Sequence, residues 1–595
     1  MKHLKKIIAL VLTVVTALAM ATPAFAADEE PTQEPATPAY DKPLTVTGLG
    51  EGDTVKFYQV IKWVGETTDH SDVAGWKAVD AYAGVLTKEK LTEVLVGTPA
   101  TEEDVAAGKA SKVGDLINPT GITSVLAGQL AALADDGVDG AVSGTTATLT
   151  NTEPGMWMAL VTPADANTVY NPVFVSADYN KTAGGTIGMG ESFADAVAKK
   201  STLTLTKTAA NASDYNEDNA QTTAVGDVIT FTVNTTIPGY GEVYTNPHFV
   251  LKDALTDLAL KTDTVTITAP AGLKKGTDYT VDATASGYTI TFTANYLKTL
   301  KSATAVTVTY NAEVTSTAAK AINEEDNKVS IEYSHNPNQQ SDYDVKKDTT
   351  QHYTFSIDAD SVGSGENVSG KKTSEVVKIG VDAAGKPINK TTETSEITST
   401  EKWNGPLEGA VFGLWKSDNS DCTGEPFKQA TTTADGRMNF AGLDAGTYYL
   451  KEISAPAGYV TNTTKHTVVI AAETDTVKVT EWWDGAAWVS TKPTSGIAKE
   501  VTYDTEILKS YTVTIDGTET AKYTFTNAAT ANSTDIKWEE ATLVEKPCQL
   551  TNTKGTELPS TGGMGTKILY TIGGLMVVAG GVFLAAKKRM STIEE

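Results

Sequence analysis

Asn439-Phe-Ala-Gly-Leu-Asp-Ala-Gly-Thr-Tyr-Tyr-Leu-Lys-Glu-Ile-Ser-Ala-Pro-Ala-Gly-Tyr459 is the stretch from which the fold can be read. A turn at Asp435-Gly436 precedes it, and the two-residue period of a strand puts Tyr448, Leu450 and Glu452 on one face. A carboxyl in line with two apolar side chains is aimed at a core, where charge is unfavourable unless paired. The pattern recurs elsewhere. In Leu203-Thr-Leu-Thr-Lys207 the leucines and Lys207 share a face, Phe249, Leu251, Asp253 and Leu255 share another, and Val306-Thr-Val-Thr alternates in the same way. Such Thr-, Ala- and Val-rich runs, punctuated by glycine, predict an all-β chain of tandem domains. A lysine and a carboxyl both aimed inward predict at least a buried ion pair.

Both ends carry export features. Lys2, Lys5 and Lys6 precede the apolar stretch Ile7 to Met20, and Ala24-Phe-Ala26 supplies a small-x-small signal-peptidase site, with cleavage between Ala26 and Ala27. At the other end Leu558-Pro-Ser-Thr-Gly562 precedes an apolar run from Ile568 to Ala586 and the basic Lys587-Lys-Arg589. At about 1.5 Å of rise per residue that run is just long enough to cross a bilayer as a helix, with the basic cluster on the cytoplasmic side.

Between the signals lie about 530 residues, room for three or four domains. The expected division is a signal peptide at 1–26, an N-terminal unit at 27–198, a middle unit at 199–346, a C-terminal unit at 347–557 and a sorting segment at 558–595. Thr87 to Ala134 has helix-like Ala/Leu spacing, and Asn336 to Asp348 reads as a polar linker. The units are not close sequence repeats, which argues against a solenoid. A net charge of −26 disfavours nucleic acid and anionic membrane surfaces as partners. With two cysteines the chain is no disulfide-dense scaffold, and Cys422 and Cys548, both in the exported region, are candidates for one bridge. Six histidines, with no His-Glu-x-x-His and no Gly-x-Ser-x-Gly, offer no hydrolase constellation.

The stretch 439–459, closed by Ala455-Pro-Ala-Gly-Tyr459, resembles the E-box region of Cna B-type immunoglobulin-like domains, in which an inward Glu promotes an intramolecular Lys-to-Asn isopeptide bond. The resemblance implies Lys378 in Val376-Val-Lys-Ile-Gly-Val as nucleophile, Glu452 as the proton-handling acid and Asn552 in Leu550-Thr-Asn-Thr as acceptor. Periodicity does not single out Lys378, whose strand is apolar on both faces, so Lys371 or Lys372 stands beside it, and Asn527 is the rival acceptor. The middle unit resembles the Cna A-type domains of backbone pilins, which implies Lys207 as nucleophile, Asp253 as acid and Asn336 as acceptor. Alternation through Val329, Ile331 and Tyr333 puts His335, not Asn336, on the core face, so that pairing needs a bulge; Asn327 is in phase and is the reserve. The chemistry calls for no cofactor and no metal. Burial makes the lysine a neutral amine and the acid a neutral hydrogen-bond donor, and proximity does the rest until ammonia leaves.

Leu558-Pro-Ser-Thr-Gly562 resembles the LPxTG sorting signal of Gram-positive surface proteins. This implies recognition through Leu558, Pro559, Thr561 and Gly562 and transpeptidation between Thr561 and Gly562. In backbone pilins a lysine at the end of the first domain accepts the Thr carbonyl of the next subunit. Ala196-Val-Ala-Lys-Lys-Ser occupies that place, implying Lys200, with Lys199 and Lys181 as alternatives. The resemblance as a whole implies an LPxTG-anchored, isopeptide-forming major pilin, a sortase substrate and not a turnover enzyme. Its implied partners are further copies of itself in a head-to-tail polymer, a pilin-type and a housekeeping sortase, accessory or tip pilins, and peptidoglycan. A monomeric wall-anchored adhesin on the same stalk domains is the alternative, although the Asp-x-Ser-x-Ser motif of tip adhesins does not occur in the sequence.

Overall fold

A computed structural model of the chain describes residues 43–591 apart from 66, 69–71, 118–120, 151, 166, 178–193, 212–220, 316–319, 340, 363–371, 389–402, 485–486, 495–498, 525–541, 546 and 556–563. The signal-peptide residues Ala26 and Ala27, the sorting residues Leu558 to Gly562, Lys181, Lys371 and Asn527 lie outside the described residues.

The N-terminal unit contains β1 (Leu44–Thr47), β2 (Thr54–Trp63), α1 (Lys88–Leu95), α2 (Ser124–Ala131), β3 (Gly155–Thr162), β4 (Thr168–Tyr170), β5 (Val173–Ala177) and β6 (Lys200–Thr202). The helices fall where the Ala/Leu spacing put them. Thr87 and Thr123 cap their first turns by accepting from Lys90 and Leu126 N–H groups. Strand β2 divides its residues between two cores: Tyr58, Val60 and Ile61 pack with Leu91, Leu126 and Leu130 of the helices, while Val55 and Phe57 pack with Leu44, Trp157 and Val175.

The middle unit is a sandwich of β7 (Leu205–Asn211), β8 (Val228–Ile237), β9 (Phe249–Thr256), β10 (Gly287–Phe292), β11 (Thr304–Val314) and β12 (Ile322–Ser334), with shorter strands at the edges. One sheet runs β7, β8, β11 and the other β10, β9, β12. Their inward residues, among them Leu205, Phe231, Val233, Leu251, Ile290, Val308, Val329 and Ile331, form one core.

The C-terminal unit contains β13 (Tyr343–Ile357), β14 (Val376–Val381), β15 (Val411–Lys416), β16 (Phe440–Leu443), β17 (Gly446–Ser454), β18 (Lys465–Trp483), β19 (Lys499–Ile515), β20 (Thr518–Thr524) and β21 (Cys548–Thr553). A sheet runs β15, β17, β18, β19, β20. Strands β14 and β21, from the two ends of the unit, lie side by side in parallel, Lys378 opposite Leu550 and Gly380 opposite Asn552.

The segment Asn336 to Asp348 is not a linker. Residues 335–339 and 341–342 lie in the turn of a hairpin, and β13 pairs with β12 from Ser334↔Tyr343 to Ile322↔Phe355 before its far end joins β16 at Phe355↔Leu443. The boundary expected at 346/347 therefore runs through a strand that pairs with β12 of the middle unit on one side and with β16 of the C-terminal unit on the other, within one sheet. Its polar residues resemble a linker's because their partners come from far away in sequence: buried Lys347 forms an ion pair with Glu481 on the outer half of the long β18–β19 hairpin, and Lys499 of that hairpin lies 2.8 Å from Asp342. Cys422 and Cys548 are both free thiols, so the expected bridge is absent. Cys422 sits at positive φ in the turn after β15, whereas Cys548 opens β21 opposite Val376.

Beyond the domains comes α3 (Met564–Ser591), with the apolar stretch Tyr570–Lys588 of mean hydropathy 1.5 buried against none of the described residues. Its 19 residues span about 28 Å, the thickness of a bilayer's hydrocarbon.

Candidate crosslinking and assembly sites

In the middle unit the two sheets each contribute half of a buried polar cluster. Lys207 on β7 and Tyr310 on β11 come from one sheet, both flanking β8 at Val233 and Phe231. Asp253 on β9 and Asn327 on β12 come from the other, where Asp253 faces Val329 and Leu255 faces Asn327 across the ladder. The Lys207 ammonium and the Asp253 carboxyl are fully enclosed and in direct ion-pair contact. Lys207 Nζ also donates to Asn327 Oδ1 at 2.7 Å and to the Tyr310 hydroxyl at 2.6 Å. That hydroxyl donates to Asp253 Oδ2 at 2.9 Å and accepts from Asn327 Nδ2 at 2.9 Å, while Asp253 Oδ1 is buried with no hydrogen-bond partner among the described residues. Desolvation pushes Lys207 below its usual pKa, against the pull of Asp253, and pushes Asp253 above its own, against the pull of Lys207 and Tyr310. Both shifts favour the uncharged pair that amide chemistry requires.

Asn336, the acceptor expected first, is not in this cluster. It lies in the hairpin turn, where its Oδ1 accepts from Asn338 N at 3.2 Å. No bulge brings it inward; β12 stops at Ser334, and the unbroken two-residue period from Tyr333 back through Ile331 and Val329 delivers Asn327 instead. Tyr310 is the member that sequence reasoning missed. It continues the inward face Val306, Val308, Tyr310, and a hydroxyl in an otherwise apolar series was the available signal.

The C-terminal unit assembles a second cluster. Lys378 on β14, Glu452 on β17 and Asn552 on β21 are each at most 2 % exposed. Glu452 Oε1 lies 3.6 Å from Lys378 Nζ and accepts from Asn552 Nδ2 at 2.6 Å, and its Oε2 accepts from the Asn462 N–H at 2.6 Å. The Phe412 ring closes over the amine at 5.1 Å. Desolvation brings the Lys378 pKa down to about 8, against the attraction of Glu452. All six residues of β14 are buried, which is why alternation could not single out Lys378. Lys372 is exposed, outside the core. Gly380, opposite Asn552, is the close approach that admits the E-box tail: a Cβ there would stand 2.8 Å from the Tyr459 ring.

Lys200 opens β6, exposed, directly across from Tyr170 of β4. Its ammonium stands 6.0 Å from the Tyr170 ring centroid, and the Tyr170 hydroxyl donates to Asp53 Oδ2 at 2.7 Å. Burial alone would raise the Asp53 pKa, but the Tyr170 hydroxyl, the Ala164 and Gly50 N–H groups and the Lys200 charge together hold it low. Lys199 is also exposed, its carbonyl accepting from Asn171 N at 3.1 Å. Near this junction, Lys346 Nζ donates to Asn167 Oδ1 at 2.7 Å and Asn167 Nδ2 donates to Asp165 Oδ1 at 2.8 Å. This repeats the lysine, asparagine and acid combination, with Asp165 exposed.

Comparison with known proteins agrees with this architecture. Residues 393–482 match the prealbumin-like fold domain SpaA, and residues 551–590 match the LPXTG cell wall anchor motif. The chain is 24% identical over 473 residues to the trypsin-resistant surface T6 protein of Streptococcus pyogenes serotype M6, covering 75% of this chain and 81% of that one. The solved structure of the T6 backbone pilin, described as modular and three-domain, superposes with a TM-score of 0.50 at 18% identity over 86% of this chain and 98% of that one. The full-length major pilin SpaD from Corynebacterium diphtheriae gives a TM-score of 0.37 at 18% identity over 71% of this chain and 88% of that one. The chain therefore ends in an LPXTG cell wall anchor motif that places it at the cell-wall surface, carries a prealbumin-like module before that motif, and is similar along three quarters of its length to the T6 surface protein.

Proposed function

We propose that this chain is the shaft subunit of a covalent cell-surface pilus, self-crosslinked in its middle and C-terminal domains and joined end to end by a sortase. The observation that carries the reading is the C-terminal cluster: a lysine, a carboxyl and an asparagine buried together between neighbouring strands from the two ends of one domain, just before the anchor. A pilin-type sortase cuts between Thr561 and Gly562 and hands the Thr561 carbonyl to Lys200 of the next subunit; a housekeeping sortase attaches the last subunit to peptidoglycan. Lys200 is favoured over Lys199 because it is presented on a paired strand beside Tyr170. Accessory or tip pilins complete the fibre. The domains divide as 27–198, 199–346 and 347–557, with β6 pairing back onto β4 across the first boundary and β13 shared across the last.

Within each crosslinked domain the neutral lysine amine adds to the asparagine Cγ, the buried acid steadies the developing oxyanion and moves protons, and ammonia leaves. The bonds are Lys207 to Asn327 and Lys378 to Asn552. Tension entering on β7 or β14 then crosses a covalent link to β12 or β21 and leaves the strands between them unloaded.

The test is the intact mass of the reduced, denatured ectodomain. Two bonds remove two molecules of ammonia, about 34 Da in all; a full calculated mass refutes the crosslinks. Polymerisation is tested separately by wall extraction and gel analysis. A boiling-resistant ladder that disappears in Lys200→Ala is the expected result, and a single band from the wild type would make the chain a solitary adhesin.

A further inference from the structure

We propose that the Tyr310 hydroxyl is the proton relay of the middle-domain crosslinking reaction, carrying a proton from Asp253 to the departing nitrogen of Asn327. The inference rests on the crosslinking reading above and assigns a part to a residue outside the lysine, acid and asparagine of that reading.

The geometry leaves a task that those three residues do not perform. Ammonia is expelled only if Asn327 Nδ2 gains a proton, yet the polar contact of Nδ2 is with Tyr310, at 2.9 Å, and not with Asp253. Tyr310 in turn reaches Asp253 Oδ2 at 2.9 Å. In the C-terminal cluster the acid needs no intermediary, because Glu452 Oε1 contacts Asn552 Nδ2 directly at 2.6 Å. The hydroxyl is held for this purpose. Its ring is stacked on Phe231 with centroids 5.2 Å apart and meets Tyr288 edge-on at 5.0 Å, and burial keeps the phenol protonated far above its usual range.

The step balances. Within the buried pair the proton of Lys207 passes to Asp253, leaving a neutral amine and a neutral acid. The amine lone pair forms the N–C bond to Asn327 Cγ, and Nδ2, no longer conjugated with the carbonyl, acquires a basic lone pair. The Tyr310 O–H then turns from Asp253 to Nδ2 and delivers its proton while accepting the one on Asp253. The Cγ–Nδ2 bond breaks, NH3 departs, and the surplus proton on the new amide nitrogen returns to Asp253. One amide forms, one ammonia leaves, and both Tyr310 and Asp253 are regenerated.

Freshly synthesised ectodomain from cell-free translation, quenched in acid at timed intervals, gives the rate of each link by peptide mass. In wild type, absence of the Lys207–Asn327 link would refute the crosslinking reading itself, whatever Tyr310 does. Given that link, Tyr310→Phe should slow it by at least about tenfold, up to the 10²- to 10⁴-fold typical of general acid–base catalysis, while the Lys378–Asn552 link forms at the wild-type rate. Incorporating 3-fluorotyrosine at position 310 preserves packing and makes the hydroxyl more acidic, so it should change the rate and displace its pH profile. A Tyr310→Phe rate within about threefold of wild type, or a fluorotyrosine protein with unaltered rate and pH profile, would overturn the relay.

Discussion

The middle-domain and C-terminal clusters use the same residue types in different arrangements. Around Lys207 the acid grips the amine, and a tyrosine stands between acid and amide. Around Lys378 the acid grips the amide, and the amine is held off at 3.6 Å under Phe412. The difference follows from where the strands lie. Lys207 reaches across a sandwich from one sheet to the other, so a fourth side chain fits between the layers. Lys378 and Asn552 sit on adjacent parallel strands, close enough that Glu452 alone spans them. What the two share is enclosure, and the Lys346, Asn167 and Asp165 contact has the residues without it.

Breaking either acid should have the largest effect. Asp253→Ala and Glu452→Ala should each return about 17 Da to the ectodomain mass, leaving the other domain's link intact. Each should also lower the stability of its own domain by about 4 to 5 kcal/mol, the closure entropy of a loop of this length, read by chemical denaturation. Equal mass shifts with no stability change would mean that the links act only under load.

A smaller effect separates the two amines by pH. In Asn552→Ala, which cannot link, Lys378 keeps a folded pKa of about 8 against the ordinary 10.5 of an unfolded chain. In that window the unfolded state holds more protons, so stability should rise from pH 8 to about 10.5 and level off above it, with the low value reached below 8. Asn552→Ala combined with Lys378→Met should lose that slope. A flat profile in the single variant would show that Lys378 is not desolvated as described.

The smallest effect sharpens the role of enclosure. Asn167→Ala should leave the mass deficit at two ammonias and change stability by no more than about 1 kcal/mol, as for an exposed polar contact. A third ammonia lost in wild type and restored in Asn167→Ala would mean that residue type alone suffices.

Several of these features were legible early because they depend on local pattern. A two-residue period suffices to aim Lys207, Asp253 and Glu452 inward, and length with apolar content suffices for α3. Position in a resembling domain favours Asn336 over Asn327, although the alternation points the other way. Lys378 could be reached only by resemblance, since a strand buried on both faces has no polar side to contrast with it. The polar strand β13 looked like a linker because its cover, Glu481 and its neighbours on the long hairpin, lies more than a hundred residues downstream. The paired cysteines failed for the opposite reason: compartment permits a bridge, but only geometry brings two thiols together.

By itself the sequence determined that this is an exported, anchored chain of β-domains with charged side chains aimed at apolar cores, because export signals and alternation are properties of neighbouring residues. Only the tertiary structure decided which asparagine meets which lysine, placed Tyr310 among them and left Asp165, beside Asn167, exposed. Those outcomes depend on strand register and on water exclusion, and both are set by contacts between segments remote in the chain.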